Sequence, residues 1–520
     1  MSQKLLKSTA TVSAMTMISR VLGFVRDVVI ARAFGAGTGA DAFFVAFKIP
    51  NFMRRLFAEG AFSQSFVPVL SEYKEQRAHE EVQSLAAHVS GTLGGILFLI
   101  TLVGVLASPV LVAIFAPGFL DDANKFDLTV RLLRVTFPYL LFISLTALAG
   151  GILNSYGQFG VPAFTPVFLN LALIGAALLV APYFKTPVTA LAWGVFAAGV
   201  VQLLFQFPYL KKLHLLVVPR WGSRDEGVKR VVRLMLPAIF GSSVAQINLL
   251  LDTLIASFLI TGSISWLYYS DRLVEFPLGV VGIALATVIL PSLSKKHAQA
   301  STEDFSRTLD WALRWVMLIG LPATVGLFVL AGPVLSTLFQ YGRFELQDVK
   351  MASLSLMAYS LGLLGFILVK ILAPGFYARQ DTRTPVKIGV IAMVSNMVMN
   401  VVFVVPMAYA GIPGPHAGLA LATSLSAFVN AGLLFLALCK QAIFTPQPGW
   451  GLFAGRVLFA NVVITILLVW VVPDISVWAH WTAWQRGLQL LLWLSLAVLV
   501  YFASLYSVGI RFKHMGKLGE

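Results

Sequence analysis

The chain has 520 residues, 58% of them hydrophobic and only 12% charged, with a mean hydropathy of +0.85. A soluble globular domain carries about 25% charged residues, so this composition excludes one and indicates a polytopic membrane protein. The net charge of +15 would point to nucleic acid in a soluble protein, but here it reads as Lys and Arg held on cytoplasmic loops; the single cysteine, Cys439, excludes an internal disulfide and a thiolate metal cluster.

About fourteen helical spans are predicted, near 9–34, 40–70, 86–115, 128–155, 161–183, 187–211, 231–260, 266–293, 304–332, 346–377, 384–407, 416–440, 451–473 and 485–510. No cleavable signal peptide is expected: Met1–Lys7 is a short basic start, and the helix after it is charged. On the first span Thr9, Ser13, Thr16, Arg20, Gly23 and Asp27 follow one another at spacings of 4, 3, 4, 3 and 4, which is one polar or small helix face. That face is expected to line a cavity, with Met15, Met17, Val21, Leu22 and Val25 packing elsewhere and Arg26 beside it, about 100° round the helix. Gly35–Ala40 is a turn between two membrane helices; it lacks the strand that a nucleotide-binding glycine loop requires.

On the second span Asp41, Lys48, Arg55 and Glu59 are spaced 7, 7 and 4, again one face, and Arg54 follows Pro50-Asn51, where a break is expected. A charge at mid-bilayer costs about 2.5–3.5 kcal/mol even on the lenient insertion scale, so this many in adjacent spans imply a wet, protein-lined cavity. Its cationic excess suggests an anionic cargo. Arginine binds phosphate oxygens bidentately and stays charged when desolvated, which suits a diphosphate. The alternative is internal pairing of the arginines with Asp27, Asp41, Asp271 and Glu275.

Further along, the chain repeats itself. Pro109, Phe115 and Gly118 map onto Pro333, Phe339 and Gly342 at an offset of 224, and Pro68, Ser71 and Pro162 map onto Pro291, Ser294 and Pro385 at 223. Two tandem halves of six spans are therefore expected, related by a pseudo-two-fold along the membrane normal, with the substrate site between them. The basic link Lys211–Arg233 joins the halves, and Asp225–Leu236 is expected to be a short amphipathic helix on the inner surface. In the second half Ser270, Asp271, Arg272 and Glu275 precede Pro277, and Gln246, Asn248 and Asp252 add polarity to the seventh span. Arg314, one turn after Asp310, reads as structural; Lys370 is deep in its span, and cargo and packing roles both stay open. After about Lys440 two more spans carry Trp450, Trp470, Trp478, Trp481, Trp484 and Trp493 in an aromatic-belt pattern. With the N-terminus placed inside, 22 Lys and Arg fall on the cytoplasmic side, 7 on the other and 9 within spans, which places both termini in the cytoplasm.

Several segments carry a family resemblance: SRVLGFVRD at Ser19–Asp27, ADAFFVAFKIPN at Ala40–Asn51, RRLFAEGAFSQSFVPVL at Arg54–Leu70, YYSDRLVEFP at Tyr268–Pro277 and APGFYARQDTRTPVKI at Ala373–Ile388. With these the chain resembles, over essentially its whole length, the bacterial lipid II flippase family MurJ (MviN) of the multidrug/oligosaccharidyl-lipid/polysaccharide exporter superfamily. The resemblance implies an all-α polytopic fold with an N-terminal lobe (1–220), a C-terminal lobe (221–440) and two additional helices (441–520) forming a groove for a lipid tail. It implies transport of lipid II, the undecaprenyl-diphosphate-linked disaccharide-pentapeptide, from the inner to the outer leaflet of the cytoplasmic membrane by alternating access, for peptidoglycan synthesis. Family residues implicated in substrate binding match Arg20, Arg26, Arg54, Arg272 and Asp41, while Asp27, Lys48, Glu59, Ser270, Asp271 and Glu275 are expected to line the cavity or form ion pairs. Coupling to the membrane potential or to an ion is a further implication.

The main alternative is an exporter of another anionic polyprenyl-linked glycan; a cation-drug exporter would call for an acidic cavity. No cofactor, metal or catalytic residue is expected. The outer-loop carboxylates Asp121, Asp122, Asp127, Glu345 and Asp348 form no acid–base pattern, the seven histidines have no metal-ligand spacing, and neither a Walker lysine nor a G-x-S-x-G elbow is present.

Overall fold

The computed structural model describes residues 3–55, 62–299 and 301–511. Only helices occur among them. In chain order these are α1 (Gln3–Phe34), α2 (Thr38–Arg54), α3 (Ser63–Gln76), α4 (His79–Leu106), α5 (Ser108–Phe115), α6 (Ala123–Thr136), α7 (Tyr139–Ser155), α8 (Gly160–Phe164), α9 (Pro166–Gly175), α10 (Thr189–Lys212) and α11 (Glu226–Ser257). They continue as α12 (Ser263–Pro277), α13 (Ile283–Ala298), α14 (Thr302–Val329), α15 (Ala331–Phe339), α16 (Leu346–Tyr377), α17 (Arg383–Tyr409), α18 (His416–Lys440), α19 (Trp450–Val471), α20 (Ile475–His480) and α21 (Ala483–Ser507). Ten described helical segments, from His79–Leu106 to Ala483–Ser507, are long and apolar enough to cross a membrane. The other expected spans, 9–34, 40–70, 231–260 and 266–293, are those holding Arg20, Arg26, Arg32, Lys48, Arg54, Arg55 and Arg272.

The expected repeat is visible in the element order. Helices α4 and α14 are both 28 residues long and begin 223 positions apart, at His79 and Thr302. Short helices follow at matching places, α5 and α15, each with a proline in its first turn.

The chain forms two compact units, Met1–Ser265 and Trp266–Glu520. In the first, Phe66, Val69 and Leu70 of α3, Val82, Leu85 and Val89 of α4 and Leu148 and Ile152 of α7 build an apolar core. Val228 and Val231 join it. The expected separate amphipathic helix at Asp225–Leu236 is thus corrected: it is the first turns of continuous α11, capped by Asp225, which accepts the Val228 N–H at 3.1 Å. Its amphipathic character holds, with Lys229, Arg230 and Arg233 exposed. Arg230 donates to Glu72 of α3 at 2.7–2.8 Å, and this bond holds the Glu72 carboxyl below its ordinary range.

In the second unit α16 packs against α18 through small residues. A Cβ at Gly362 would lie 2.6 Å from the Ser424 Cα, so only glycine permits this approach. Ser424 Oγ donates to the Ala358 carbonyl at 2.7 Å across the same contact. Helices α19 and α21 pack on α14 through Val457, Ala460, Ile464, Tyr501 and Leu505 against Leu318. Their other sides stay bare, with Trp470 88% and Trp484 75% exposed. Trp478 departs from the belt expectation: it is fully buried, because α20 folds its ring inward.

Candidate functional site

The first unit positions its charged residues through α1. Among the described residues of its unit, α1 packs against α8, α9 and the turn Ala176–Val180 that follows α9. Gly23 faces α9 at the Asn170 amide, where a Cβ would make only an ordinary 3.7 Å contact. Arg26 turns into this contact. Its Nε and Nη2 donate to Asp27 Oδ1 at 2.9 and 2.7 Å, and its Nη1 donates to Asn170 Oδ1 at 3.1 Å. Asn170 Nδ2 in turn donates to the Ser19 carbonyl at 3.0 Å. Arg26 and Asp27 are 7% and 1% exposed, so the pair is desolvated and hydrogen-bonded. Arg20, Thr16 and Ser13 of the expected polar face are exposed, whereas Asp27 of the same face is buried against α9 through Arg26. Met17, Val21 and Val25 are also exposed, against the expectation that they pack, because among the described residues of its unit nothing covers that side of α1.

Gly35, at φ 64°, makes the turn into α2. Asp41 in the first turn of α2 is 1% exposed and fully engaged. Lys125 Nζ donates to its Oδ2 at 3.0 Å, as does the Gly262 N–H at 2.8 Å; the Ser265 N–H and hydroxyl donate to its Oδ1 at 3.0 and 2.7 Å. Gly262 and Ser265 are at the start of α12, whose first N–H groups lack partners of their own, so Asp41 caps that helix from a distance. Lys125 is itself buried, over the Phe119 ring at 4.3 Å. Sequence reasoning counted Lys125 only among the seven cations on the outer side and did not single out Asn170. Neither residue carries a periodic signal, since their partners lie 84 and 144 positions away.

Farther along α2, Lys48 is half-buried, and half-buried Arg54 donates from Nε to Asn51 Oδ1 at 3.1 Å. Pro50 lies inside α2, which runs on to Arg54 without the expected break. Glu59 lies outside the described residues, as do the side chains of Thr9 and Gln246.

In the second unit Arg272 donates to Glu275 Oε2 at 2.7 Å and stacks over the Tyr268 ring at 5.2 Å, leaving the guanidinium partly exposed. Asp271 is half-buried. Ser270, expected at the cavity, is instead fully buried, donating to the Ala352 carbonyl of α16 at 2.8 Å. After Pro277 a wide turn at Leu278–Gly282 separates α12 from α13. Arg314 pairs with Asp310 at 2.7 Å, as read from their spacing. Asp310 Oδ1 also accepts the Trp450 indole N–H at 2.6 Å and the Gln447 N–H at 3.0 Å.

Among the described residues no group of three or more His, Cys, Asp and Glu is placed to hold a metal ion. What the residues offer is guanidinium groups on α1, α2 and α12: Arg20 open, Arg54 and Arg272 partly open, Arg26 held inside. Such groups bind phosphate oxygens rather than perform acid–base chemistry.

The family profile described as "Lipid II flippase MurJ" matches residues 30–486. The chain is 51% identical to a probable lipid II flippase MurJ of Vibrio cholerae serotype O1, covering 99% of this chain and 98% of that one. It is 45% identical to a lipid II flippase MurJ of Burkholderia cenocepacia, covering 96% of each. Among solved structures, a lipid II flippase MurJ in an inward closed conformation superposes with a TM-score of 0.79 at 26% identity, over 95% of this chain and 97% of that one. An inward-facing multidrug resistance MATE transporter of the MOP superfamily, 16% identical, shares the fold at a TM-score of 0.67 over 83% of this chain and 98% of that one. Family match, full-length identity and fold agree: this chain belongs to the lipid II flippase MurJ family of multi-pass inner-membrane proteins.

Proposed function

We propose that the chain is a lipid II flippase that moves the undecaprenyl-diphosphate-linked disaccharide-pentapeptide from the inner to the outer leaflet by alternating access. The observation that carries this reading is the pair of arginines on α1, Arg20 exposed and Arg26 buried, in a chain 51% identical to a probable MurJ over its length. A guanidinium on a membrane helix is costly unless it meets an anion, and a diphosphate is the anion of this cargo. Arg20, Arg54 and Arg272 contact the diphosphate; Arg26 is positioned by Asp27 and Asn170. Lys48, Asp271 and Glu275 balance charge nearby, together with Glu59. Asp41 serves the cargo indirectly, by fixing the end of α2.

The remaining parts of the reading follow the family. The chain crosses the membrane fourteen times with both termini in the cytoplasm, as two lobes, 1–220 and 221–440, and a C-terminal pair, 441–520, that accommodates the lipid tail. The membrane potential assists export: at about 2.3 kcal/mol per charge per 100 mV, two negative charges moving outward gain roughly 4–5 kcal/mol. An exporter of another anionic polyprenyl-linked glycan is the weaker reading, because the full-length relatives carry the name of lipid II.

The test is exposure of lipid II in living cells depleted of their native flippase. The depleted cells are given this protein, and an external enzyme that cleaves only outward-facing lipid II is added. Restored cleavage supports the reading; no restoration by protein that is present and inserted overturns it.

A further inference from the structure

Arg486, on the first turn of α21, is 6% exposed, and among the described residues no carboxylate pairs with it. Its guanidinium is nevertheless well satisfied. Nε donates to the Trp478 carbonyl at 2.9 Å and Nη2 to the Ala479 carbonyl at 2.9 Å, both on α20. Nη1 donates to the carbonyls of Ser336 and Gln340 at 3.1 Å each, at the end of α15. The charge therefore rests on the carbonyl-bearing, negative ends of two helices, where a cation is favoured. The Tyr341 ring lies beneath it at 5.8 Å. Lysine could not reproduce this, because only the planar fork reaches four acceptors in two directions.

Among the described residues this clamp is one of several fastenings between the C-terminal segment and α14–α15. Tyr501 OH donates to the Leu318 carbonyl at 2.7 Å midway along. At the start of α19, Asp310 receives Trp450 and Gln447, and Arg314 Nη2 donates to the Pro448 carbonyl at 3.2 Å. On the side away from these fastenings α19 and α21 present Leu458, Val462, Ile466, Leu491, Leu492 and Leu499, each at least half exposed.

We propose that Arg486 is a positioning residue for transport: it locks the α20–α21 corner to α15, so that the bare apolar face of α19 and α21 is held in one register and moves with the second unit. This rests on the reading of that face as the seat of the lipid tail. Removing the clamp should therefore harm a long-tailed cargo and spare one whose tail is too short to reach the face, whereas a general folding defect would harm both alike.

The test uses the purified full chain in vesicles with two cargoes, full-length lipid II and an analogue of a few isoprene units. Arg486→Gln should raise KM for the long-tailed form by about ten-fold or more, the loss of at least one charge-assisted hydrogen bond's worth of positioning, with kcat and the short-tailed form unchanged. Arg486→Lys should recover part of that loss. Equal losses for both cargoes, or none for either, would overturn the proposal. A second measurement stands without transport: nitroxide labels replacing Ile319 and Leu491, in a Cys439→Ser background, should give a narrow distance distribution in the parent and a broadened one with Arg486→Gln. An unchanged distribution would overturn the clamp. Should the unsubstituted protein move neither cargo, the flippase reading fails, and the labels still decide whether Arg486 holds the corner.

Discussion

Asp41→Asn keeps the side chain's shape and removes its charge. The structure makes the consequence large. Asp41 and Lys125 have side chains 1% and 6% exposed, so water cannot replace the lost partner, and Lys125 is left as an uncompensated buried cation. Breaking one side of such a pair costs about 3–5 kcal/mol. The amide of the variant also accepts at one oxygen where the carboxylate accepts at two, which weakens its hold on Gly262 and Ser265. Lys125→Met alone should also destabilise, by removing the cation that balances the buried carboxylate, though less, because Gly262 and Ser265 still donate to it. The double variant Asp41→Asn/Lys125→Met removes both charges, and replacing a buried pair together is often close to neutral. Thermal unfolding of the purified protein in detergent should therefore show two destabilised single variants and a double variant more stable than either. Additive losses in the double variant, or unchanged single variants, would refute the ion-pair argument.

Three further outcomes are expected. Gly362→Ala places a methyl carbon 2.6 Å from the Ser424 Cα, so α16 and α18 must part; thermal unfolding should drop by the equivalent of about 1–3 kcal/mol, and an unchanged midpoint would mean the two helices are not held at this distance. Asp310→Ala strands buried Arg314 and frees Trp450 and Gln447; Trp450 fluorescence in a protein otherwise stripped of tryptophan should shift red and become more quenchable, and an unchanged spectrum would contradict the account. Glu72 is lowered by its bond from Arg230, so the stability it contributes is present above the unfolded carboxyl value, about 4.3, and is lost as pH falls through the lower folded value. The stability difference between the parent and Glu72→Gln should therefore shrink on acidification below about pH 4 and should shrink with added salt at neutral pH; a difference that grows on acidification would refute the sign.

Much of this fold is legible in the sequence because membrane spans announce themselves by apolar length, and because the repeat leaves prolines and glycines at a constant offset. The equal lengths of α4 and α14, begun 223 positions apart, are the structural form of that offset. Local pairs were also legible: Arg314 follows Asp310 by one helical turn, and Arg272 precedes Glu275 by three positions. Non-local pairs were not. Lys125 and Arg486 have the look of loop cations, since each lies near a predicted span end, yet both are buried by partners far along the chain. The cap that Asp41 places on α12 is equally silent, because backbone N–H groups have no letter in the sequence. The exposure of Met17, Val21 and Val25 was misjudged for a related reason: hydropathy shows that a face is apolar, and not whether protein covers it.

The most direct measurement is lipid II access in sealed vesicles containing only the purified protein, lipid II and an enzyme that acts from outside. With the unsubstituted protein the inner-leaflet pool should become accessible; with Arg20→Gln or Arg26→Gln, at equal incorporation, only the outer pool should react. If both variants empty the inner pool as fast as the parent, the arginines of α1 do not carry the cargo and the central claim is wrong.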